Sequence, residues 1–424
     1  LIVEPDNSVR KANEARDTTG PVDGTTTFTA IDSLKKKSNY YFENHPTEKV
    51  YLHFDKTFYI LGEDNWYKAY VLNGSDLNPT VISSVLYVDW IDPSGKIISQ
   101  KRLRIENGSS AGDLAIDTTF ADGTYTVKAY TNWMRNESPE LFFSRNIRVI
   151  DPRIHGESSW DEKGKVSIDL QFFPEGGTLI QGVQTQLAFK AIDSNGRGVE
   201  VNGKIIDNQN KLVTTFRSSH GGMGSFPFIP DTTKSFRAIL SNGEVHHLPQ
   251  PHTSGYSLAA SNMNADKILV RVCRTGGDDS HVYLVGHARG SIYYAESIGI
   301  ENAFKEITIS KKELPEGILQ LTLLSSKGIP QCERMVFIQK GDYIKGYITC
   351  DKDEYAPRDS IMLNFELEDV KHAPLETSLS VSVTDADFVD VDKHSETIYT
   401  RLLLQSDLKG NVENPGWYFE SQNS

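Results

Sequence analysis

The chain has 424 residues, a formal net charge of -13 at pH 7 and three cysteines. The acidity argues against a nucleic-acid partner, because binding to phosphates needs a basic surface. No apolar run approaches the roughly 20 residues that a membrane helix requires, so no transmembrane segment is expected in this piece. The apolar start at residues 1–3 is too short for a signal sequence, and we expect a processed piece of a longer polypeptide.

Strand formers and turn residues dominate the composition. The chain contains 18 Tyr and 19 Phe with abundant Val, Ile and Thr, and it is punctuated by 32 Gly and 17 Pro. Helical periodicity is predicted at two places, residues 30–44 and residues 396–408. The sequence therefore predicts an all-β chain of tandem antiparallel immunoglobulin-like sandwiches, preceded by a short N-terminal helical leader.

The predicted units follow one another along the chain. Residues 1–46 are polar and rich in Thr and Gly, which indicates an extension that is ordered only where its helix docks. Sandwiches of about 100 residues predict roughly four units in the remainder, and turn signals set their limits. The predicted sandwiches are residues 47–152, 153–254, 255–342 and 343–424, the second ending in a Pro- and His-rich linker at 246–254 and the last one truncated.

A motif near the start of the chain recurs near its end, which indicates an array of one module. Asp55-Lys56, Tyr59, Gly62-Glu63 and the alternating run 66–71 return as Asp351-Lys352, Tyr355, Arg358-Asp359 and the run 361–367. A weaker third version runs from Phe173-Pro174-Glu175-Gly176-Gly177 through Gly182 into residues 186–192. Each copy places a charged residue and a packing side chain before a turn that opens an alternating strand.

Glycine-rich stretches are predicted to be turns between strands. The segments 92–95 and 193–196 have the composition of tight hairpin turns. His220-Gly221-Gly222-Met223-Gly224 lacks the lysine of a phosphate-binding loop and precedes a strand pattern. We therefore interpret it as a turn whose glycines supply positive φ angles.

The residues 49–56 with Tyr59, Gly62-Glu63 and Trp66 resemble the opening of a macroglobulin-type (MG) domain, as found in alpha-2-macroglobulins and complement proteins. Further motifs resemble a narrower group, the large envelope proteins of Bacteroidota-type bacteria, in which such domains commonly precede a TonB-receptor-like plug domain; these motifs lie at 122–125, 129–134, 173–177, 220–224 and 406–410. The resemblance covers about residues 48–419 and does not include the plug. It implies MG-like folds for the first, second and fourth sandwiches, an outer-membrane location on the periplasmic or surface face, and a protein partner there.

The three cysteines depart from the macroglobulin pattern. The thioester of that family needs a Gly-Cys-Gly-Glu-Gln sequence, and neither Gln331-Cys332-Glu333-Arg334 nor Val272-Cys273-Arg274 provides it. A protease bait segment is not recognisable either. Cys273, Cys332 and Cys350 lack zinc-site spacing, and we interpret all three as small buried hydrophobic residues.

Two clusters have the composition of metal sites. Asp385, Asp387, Asp390 and Asp392 could hold calcium, but carboxylates that alternate along a strand project to opposite faces, so a solvated segment is favoured. His246, His247 and His252 could bind a metal, but their prolines and the lack of a fourth ligand favour a solvated linker. No nucleophile elbow or zincin spacing occurs. We predict no catalytic, cofactor-binding or metal-binding residue and no cofactor.

The sequence favours a non-catalytic array of macroglobulin-like domains in the bacterial cell envelope, acting as a docking or spacer part of an outer-membrane receptor or transport protein. Two alternatives remain: a protease-trapping relative without a thioester, and a glycan- or ligand-binding accessory module. The glycan alternative would use exposed rings among Trp66, Trp90, Trp133, Trp160 and Trp417. Short connectors at 150–152 and 340–342 predict a semi-rigid array with the leader helix packed on one module.

Overall fold

The computed structural model describes residues 24–154, 167–277, 279, 281–300, 304–341, 344–375, 377–389 and 392–420, with side chains from residue 31 onward. About 48% of the chain is strand and 10% is helix, which confirms the predicted all-β class. The strands form several separate sheets, and the fold is a series of antiparallel sandwiches. Within the described ranges, no helix is both long and apolar enough to cross a membrane.

The first sandwich is built from eight strands: β1 (Glu48–Phe54), β2 (Phe58–Ile60), β3 (Asp64–Asn73), β4 (Val85–Ile91), β5 (Ile97–Arg104), β6 (Ser109–Ala115), β7 (Gly123–Thr131) and β8 (Phe143–Ile150). They form one sheet of order β1-β3-β6 and a second of order β2-β8-β7-β4-β5. The two sheets enclose one core, in which the fully buried ring of Trp90 packs edge-on against Phe120. The short pairing of β2 with β8 is parallel, unlike the other strand pairs described.

The second sandwich contains β9 (Asp169–Pro174), β10 (Thr185–Ile192), β11 (Asn202–Asp207), β12 (Leu212–Arg217), β13 (Met223–Phe228), β14 (Phe236–Leu240) and β15 (Val245–His247). Its sheets have the orders β13-β10-β9 and β12-β11-β14-β15. Its core is rich in phenylalanine, and the rings of Phe189 and Phe216 meet edge-on at 4.9 Å. The first part of the predicted turn at 220–224 connects β12 to β13, which begins at Met223, and both Gly221 and Gly222 have positive φ.

The third sandwich contains β16 (Gly255–Asn262), β17 (Lys267–Thr275), β18 (His281–Ala288), β19 (Ser291–Gly299), β20 (Phe304–Ser310), β21 (Gly317–Leu324) and β22 (Pro330–Ile338). Its sheets have the orders β16-β17-β20 and β19-β18-β21-β22 around an aliphatic core. Between β8 and β9, residues 155–166 lie outside the described part of the chain. The predicted domain limits at 152, 254 and 342 stay predictions.

The fourth predicted sandwich is represented, in the described residues, by a single two-stranded hairpin. Its strands are β23 (Lys345–Cys350) and β24 (Leu363–Glu368), which pair antiparallel. We call this pair the C-terminal hairpin. The truncated fourth sandwich stays a prediction: among residues 344–375, 377–389 and 392–420, the structure describes these two strands and no second sheet.

Both predicted helices exist with different limits. The first, α1 (Gly24–Asn44), begins earlier than predicted and packs against the third sandwich near β19. The Phe42 ring lies directly against Gly290, so close that a Cβ atom built on this glycine would be 2.5 Å from the ring. This contact confirms the prediction that the leader helix packs on one module. The second, α2 (Ile398–Leu403), is shorter than predicted and begins at a capping box in which Thr397 accepts a hydrogen bond from the Thr400 amide.

The repeated motif folds into the same hairpin in the first sandwich and at the C-terminal hairpin. The offset that maps Asp55 onto Asp351 also maps the paired residues Phe54 and Tyr67 onto the paired residues Cys350 and Leu363. The register of β1 with β3 is therefore that of β23 with β24. Because a slip by one residue would exchange the two faces of the strand, equal registers mean that corresponding residues face the same way.

The turn of the motif is conserved in geometry in all three copies, including the weak one. The residue at its central position has positive φ in each copy: Gly62 (φ 99), Gly182 (φ 70) and Arg358 (φ 70). The amide of the acidic residue donates to the carbonyl at the start of the alternating strand in each copy: Asp55 to Trp66 at 3.2 Å, Glu175 to Gln186 at 3.0 Å and Asp351 to Met362 at 3.1 Å. The three-fold repeat predicted from the sequence is thus confirmed.

We expect the same tyrosine to Phe substitution to have unequal effects in two copies of the motif. Tyr59 is fully buried and donates to Asp55, so Tyr59→Phe leaves the carboxylate without that donor and lowers the free energy of unfolding by about 1–3 kcal/mol. Tyr355 makes the same bond to an exposed Asp351, and Tyr355→Phe serves as the matched control with little effect. Guanidinium unfolding followed by circular dichroism and by the tryptophan fluorescence of the whole chain measures both, and equal shifts would contradict the assignment.

Candidate functional site

Residues 377–389 and 392–420, here called the C-terminal segment, contact all three sandwiches. At the first sandwich, Lys68 Nζ donates to Ser378 Oγ at 2.5 Å and to the Leu379 carbonyl at 2.9 Å. The Tyr70 hydroxyl donates to Ser380 Oγ at 2.8 Å. These side chains come from the exposed side of β3, so the segment crosses the outer face of the β1-β3-β6 sheet rather than extending it.

A cluster of two arginines and one carboxylate fixes α2 to the first sandwich. Arg145 on β8 contacts Glu396 at 2.7 Å, and Arg401 on α2 lies 3.9 Å from the same carboxylate. All three side chains are no more than 16% exposed. Arg401 also donates to the Phe142 carbonyl at 3.1 Å, and burial lowers the pKa of its guanidinium. One carboxylate is thus the ion-pair partner of two buried cations. Because a buried charge without a partner is strongly destabilising, the stability of this contact depends on Glu396.

A second buried ion pair joins β1 to the turn after α2. Lys49 Nζ donates to Asp407 at 2.5 Å and to Ser406 Oγ at 2.8 Å. Burial lowers the pKa of Lys49, and the nearby Asp407 carboxylate opposes that shift. The other side of α2 contacts the third sandwich at Gly317. A Cβ atom built on this glycine would lie 3.0 Å from the Leu403 carbonyl oxygen, so the two backbones pack closely. Helix α2 therefore sits between the first and third sandwiches.

The end of the C-terminal segment contacts the second sandwich. Glu413 accepts from Lys190 at 3.0 Å and from the Gly198 amide at 3.1 Å. Burial opposes ionisation of Glu413, but these hydrogen bonds outweigh it and hold its pKa below the usual range. The Trp417 ring stacks on His220 with centroids 3.8 Å apart and planes 3° from parallel. The glycine-rich turn of the second sandwich is therefore a docking point for this segment.

The second and third sandwiches also meet directly. Glu175 contacts Arg334 on β22 at 3.1 Å and accepts from the Ala260 amide at 3.3 Å. Glu175 is the counterpart of Asp55, but Leu179 stands where the first copy has Tyr59. Without a tyrosine hydroxyl in its own turn, the carboxylate bonds to the next sandwich instead.

A cleft of about 700 Å³ lies between the first sandwich and the C-terminal segment. Its lining includes Tyr51, His53, Tyr70, Arg145, Ser380 and Glu396. His53 Nδ1 lies 2.6 Å from Ser380 Oγ, and burial together with the nearby Arg145 lowers the pKa of His53. The polar groups of this cleft bond mainly to one another across the contact, which suits a docking surface between chain segments.

The aspartates considered for calcium bond to their own turns. Asp385 accepts from the Asp387 amide at 2.9 Å, and Asp392 accepts from the His394 amide at 2.9 Å. Asp390 lies outside the described residues. Among the residues that are described, no group of three or more His, Cys, Asp or Glu side chains is placed to hold a metal ion.

The histidine-rich stretch is partly strand, which corrects the predicted linker at 246–254. His246 and His247 lie in β15, which pairs with β14, and His246 is 3.6 Å from Glu244. His252 forms a short parallel bridge with Ile180. The backbone here thus belongs to the second sandwich, because β-pairing satisfies its amides despite the neighbouring prolines.

The prediction of three buried cysteines is wrong for Cys350. Cys332 is buried, which raises its pKa to about 12, and Cys273 is half-buried. Cys350 is exposed. It lies on the C-terminal hairpin at the position of the buried Phe54, and its exposure reflects a sheet face that is not covered.

The tryptophans divide between packing and exposed roles. Trp90 is in the core, and Trp417 stacks on His220. Trp66 is 59% exposed and Trp133 is 38% exposed, although the Trp133 indole donates to the Pro46 carbonyl at 2.6 Å. Trp160 lies outside the described residues.

No family model matches the chain. Among solved structures, it is similar to the alpha-2-macroglobulin of E. coli in its native conformation, at 11% identity and a TM-score of 0.22, covering 78% of this chain and 26% of that one. It is also similar to dimeric latent PorU from Porphyromonas gingivalis, at 12% identity and a TM-score of 0.31, covering 69% of this chain and 34% of that one.

A third similar structure is a tetra-tandem repeat from the extending region of a large adhesion protein, at 12% identity and a TM-score of 0.20, covering 76% of this chain and 81% of that one. The chain thus spans about a quarter of the length of the alpha-2-macroglobulin it resembles. The superpositions are poor over the whole chain, and the fold class follows from the sheets described above.

We expect Glu396→Gln to destabilise the first sandwich and detach α2. The substitution leaves Arg145 and Arg401 buried without a carboxylate, which costs on the order of 3 kcal/mol. Glu306→Gln is the matched control, because its partner Arg271 is 54% exposed and such pairs contribute less than about 1 kcal/mol. Guanidinium unfolding gives the stabilities, and limited proteolysis reports release of the C-terminal segment. Equal effects of the two substitutions would contradict the role given to Glu396.

Proposed function

We propose that the chain is a non-catalytic, braced array of β-sandwiches that holds a protein partner at a fixed distance and orientation. The contacts of the C-terminal segment with all three sandwiches carry this proposal. Chains of sandwiches joined by linkers alone reorient freely, since interfaces between domains are modest and polar. Here Glu396, Asp407 and Glu413 tie one segment to basic side chains of two different sandwiches.

Two tyrosines with raised pKa values support a structural role. Burial and a hydrogen bond to Asp89 raise the pKa of Tyr130 to about 12, and burial with a bond to Asp279 does the same for Tyr256. Each of these tyrosines is engaged in a bond within its own sandwich. Catalytic groups are instead perturbed towards the pH at which they must exchange protons, whereas these shifts move the tyrosines away from it.

The proposed location is the bacterial cell envelope, at the outer membrane, with a receptor or transport protein as the partner. The motifs at 122–125, 129–134, 173–177, 220–224 and 406–410, which resemble those of Bacteroidota envelope proteins, support this location. The association with a TonB-receptor-like plug domain is part of the same proposal. A tandem array suits the task because sandwiches add length without a continuous core.

We expect small-angle scattering of the chain to fit one conformation of the three sandwiches. A double variant, Glu413→Gln with Trp417→Ala, removes the ion pair with Lys190 and the stack on His220, so its profile should require several orientations of the second sandwich. Circular dichroism should stay unchanged. The control is Lys393→Gln, which removes a contact made with Glu420 within the segment itself.

A wild-type scattering profile that already requires many orientations of the sandwiches would contradict the proposed braced array.

Protease, esterase and glycosidase assays test the proposal that the chain is non-catalytic. Turnover that survives repurification and disappears on a single substitution would overturn it.

Glycan binding remains a second candidate because of Trp66. Its exposed ring lines a cleft of about 370 Å³ beside Lys68 and Asp113, a composition that can stack on a sugar and bond to its hydroxyls. Under this alternative, a polysaccharide titration would shift the tryptophan fluorescence of the chain, and Trp66→Ala would abolish the shift while Trp133→Ala would retain it. We expect no shift with any polysaccharide, because the proposed function assigns this surface to contacts between chain segments.

A further inference from the structure

The C-terminal hairpin leaves uncovered the face that its counterpart buries. In the first sandwich, Leu52 on β1 and Ala69 on β3 are fully buried under the second sheet. The equal register places Ile348 and Phe365 at the corresponding positions, yet they are 67% and 38% exposed. Their side chains therefore present an apolar sheet face to water.

A segment with the pattern of the missing cover follows shortly after the hairpin. In the first sandwich, β3 is followed by residues 74–84 and then by β4, whose Leu86, Val88 and Trp90 point into the core and are fully buried. After β24, residues 369–378 precede Leu379, Val381 and Val383, which alternate with serines in the same way. These three are 44%, 54% and 81% exposed.

In the structure, residues 379–383 lie on the first sandwich through their polar groups. The contacts come from the Leu379 carbonyl and Ser380, which bond to Lys68 and Tyr70, while the apolar side chains face water. Two apolar surfaces of one chain, separated by a short connection, thus remain solvated. Burial of both against each other is favourable, and closing so short a loop adds little entropic cost.

We propose that residues 379–383 are a strand with two positions. In the position seen here it covers part of the cleft of the first sandwich. In the other it lies across Ile348 and Phe365, as β4 lies across β1 and β3, and begins the second sheet of a fourth sandwich. The transfer breaks the bonds to Lys68 and Tyr70 and opens the cleft around His53 to a partner. The strand therefore couples completion of the fourth sandwich to access to the first.

Cys350 is a natural probe of this transfer. It occupies the position of Phe54, which is buried under the second sheet of the first sandwich, and it is exposed in the position seen here. The test measures alkylation of Cys350 by iodoacetamide in the whole native chain, with peptide mapping to separate it from Cys273 and Cys332. We expect a rate below that of the guanidinium-unfolded chain, because the thiol is inaccessible in the molecules in which the strand covers it.

Two kinds of variant assign the protection to residues 379–383. Val381→Asp places a charge on the covering face and should restore fast alkylation, whereas Ser382→Asp, on the opposite face, should keep the protection. Lys68→Ala with Tyr70→Phe removes bonds that hold the segment to the first sandwich, so alkylation of Cys350 should slow further. A fixed segment would leave the rate unchanged in this double variant.

Three results would overturn the proposal. Alkylation of native Cys350 as fast as in the unfolded chain would show that the face stays bare. A rate unaffected by Val381→Asp would show that something else covers it. Protection that rises with protein concentration would identify a second copy of the chain as the cover in place of residues 379–383.

Discussion

Glu396 is the residue on which the arrangement of the chain depends most. It lies between Arg145 of the first sandwich and Arg401 of α2, and neither guanidinium is well exposed to water. A buried guanidinium without a carboxylate partner is destabilising, so the pairing with Glu396 holds α2 against the first sandwich. Because α2 also contacts the third sandwich at Gly317, the position of one helix limits the angle between two sandwiches that are far apart in sequence.

The repeated motif shows how one local structure serves different purposes according to its surroundings. Its turn and register are the same in the first sandwich and in the C-terminal hairpin, so local sequence is sufficient to form it. The acidic residue bonds to a tyrosine within the motif where Tyr59 or Tyr355 is present. Where Leu179 replaces the tyrosine, Glu175 is left to bond with Arg334, and a local contact has become a contact between sandwiches.

Much of the fold could be predicted from the sequence because its signals are local. Alternation of apolar residues marked β4 and β10, and the hairpin turn at 92–95 was recognisable because Asp92 accepts hydrogen bonds from the Ser94 and Lys96 amides. The limits of α2 were less accurate, since periodicity does not reveal where Thr397 caps the helix. The strand β15 was missed because its three residues, Val245–His247, are too few to show an alternation.

The contacts of the C-terminal segment could not be predicted in the same way. Lys49 and Asp407, or His220 and Trp417, are ordinary residues in their own sequence neighbourhoods, and only the folded chain brings them together. The burial of Cys350 failed as a prediction for a related reason. The sequence of β23 has the apolar pattern of a strand that another sheet covers. Such a pattern shows which face of a strand is suited to burial, but the actual exposure of Cys350 depends on whether a second sheet packs on that face. The difference between this pattern and the observed exposure is the reason for proposing a second position for residues 379–383.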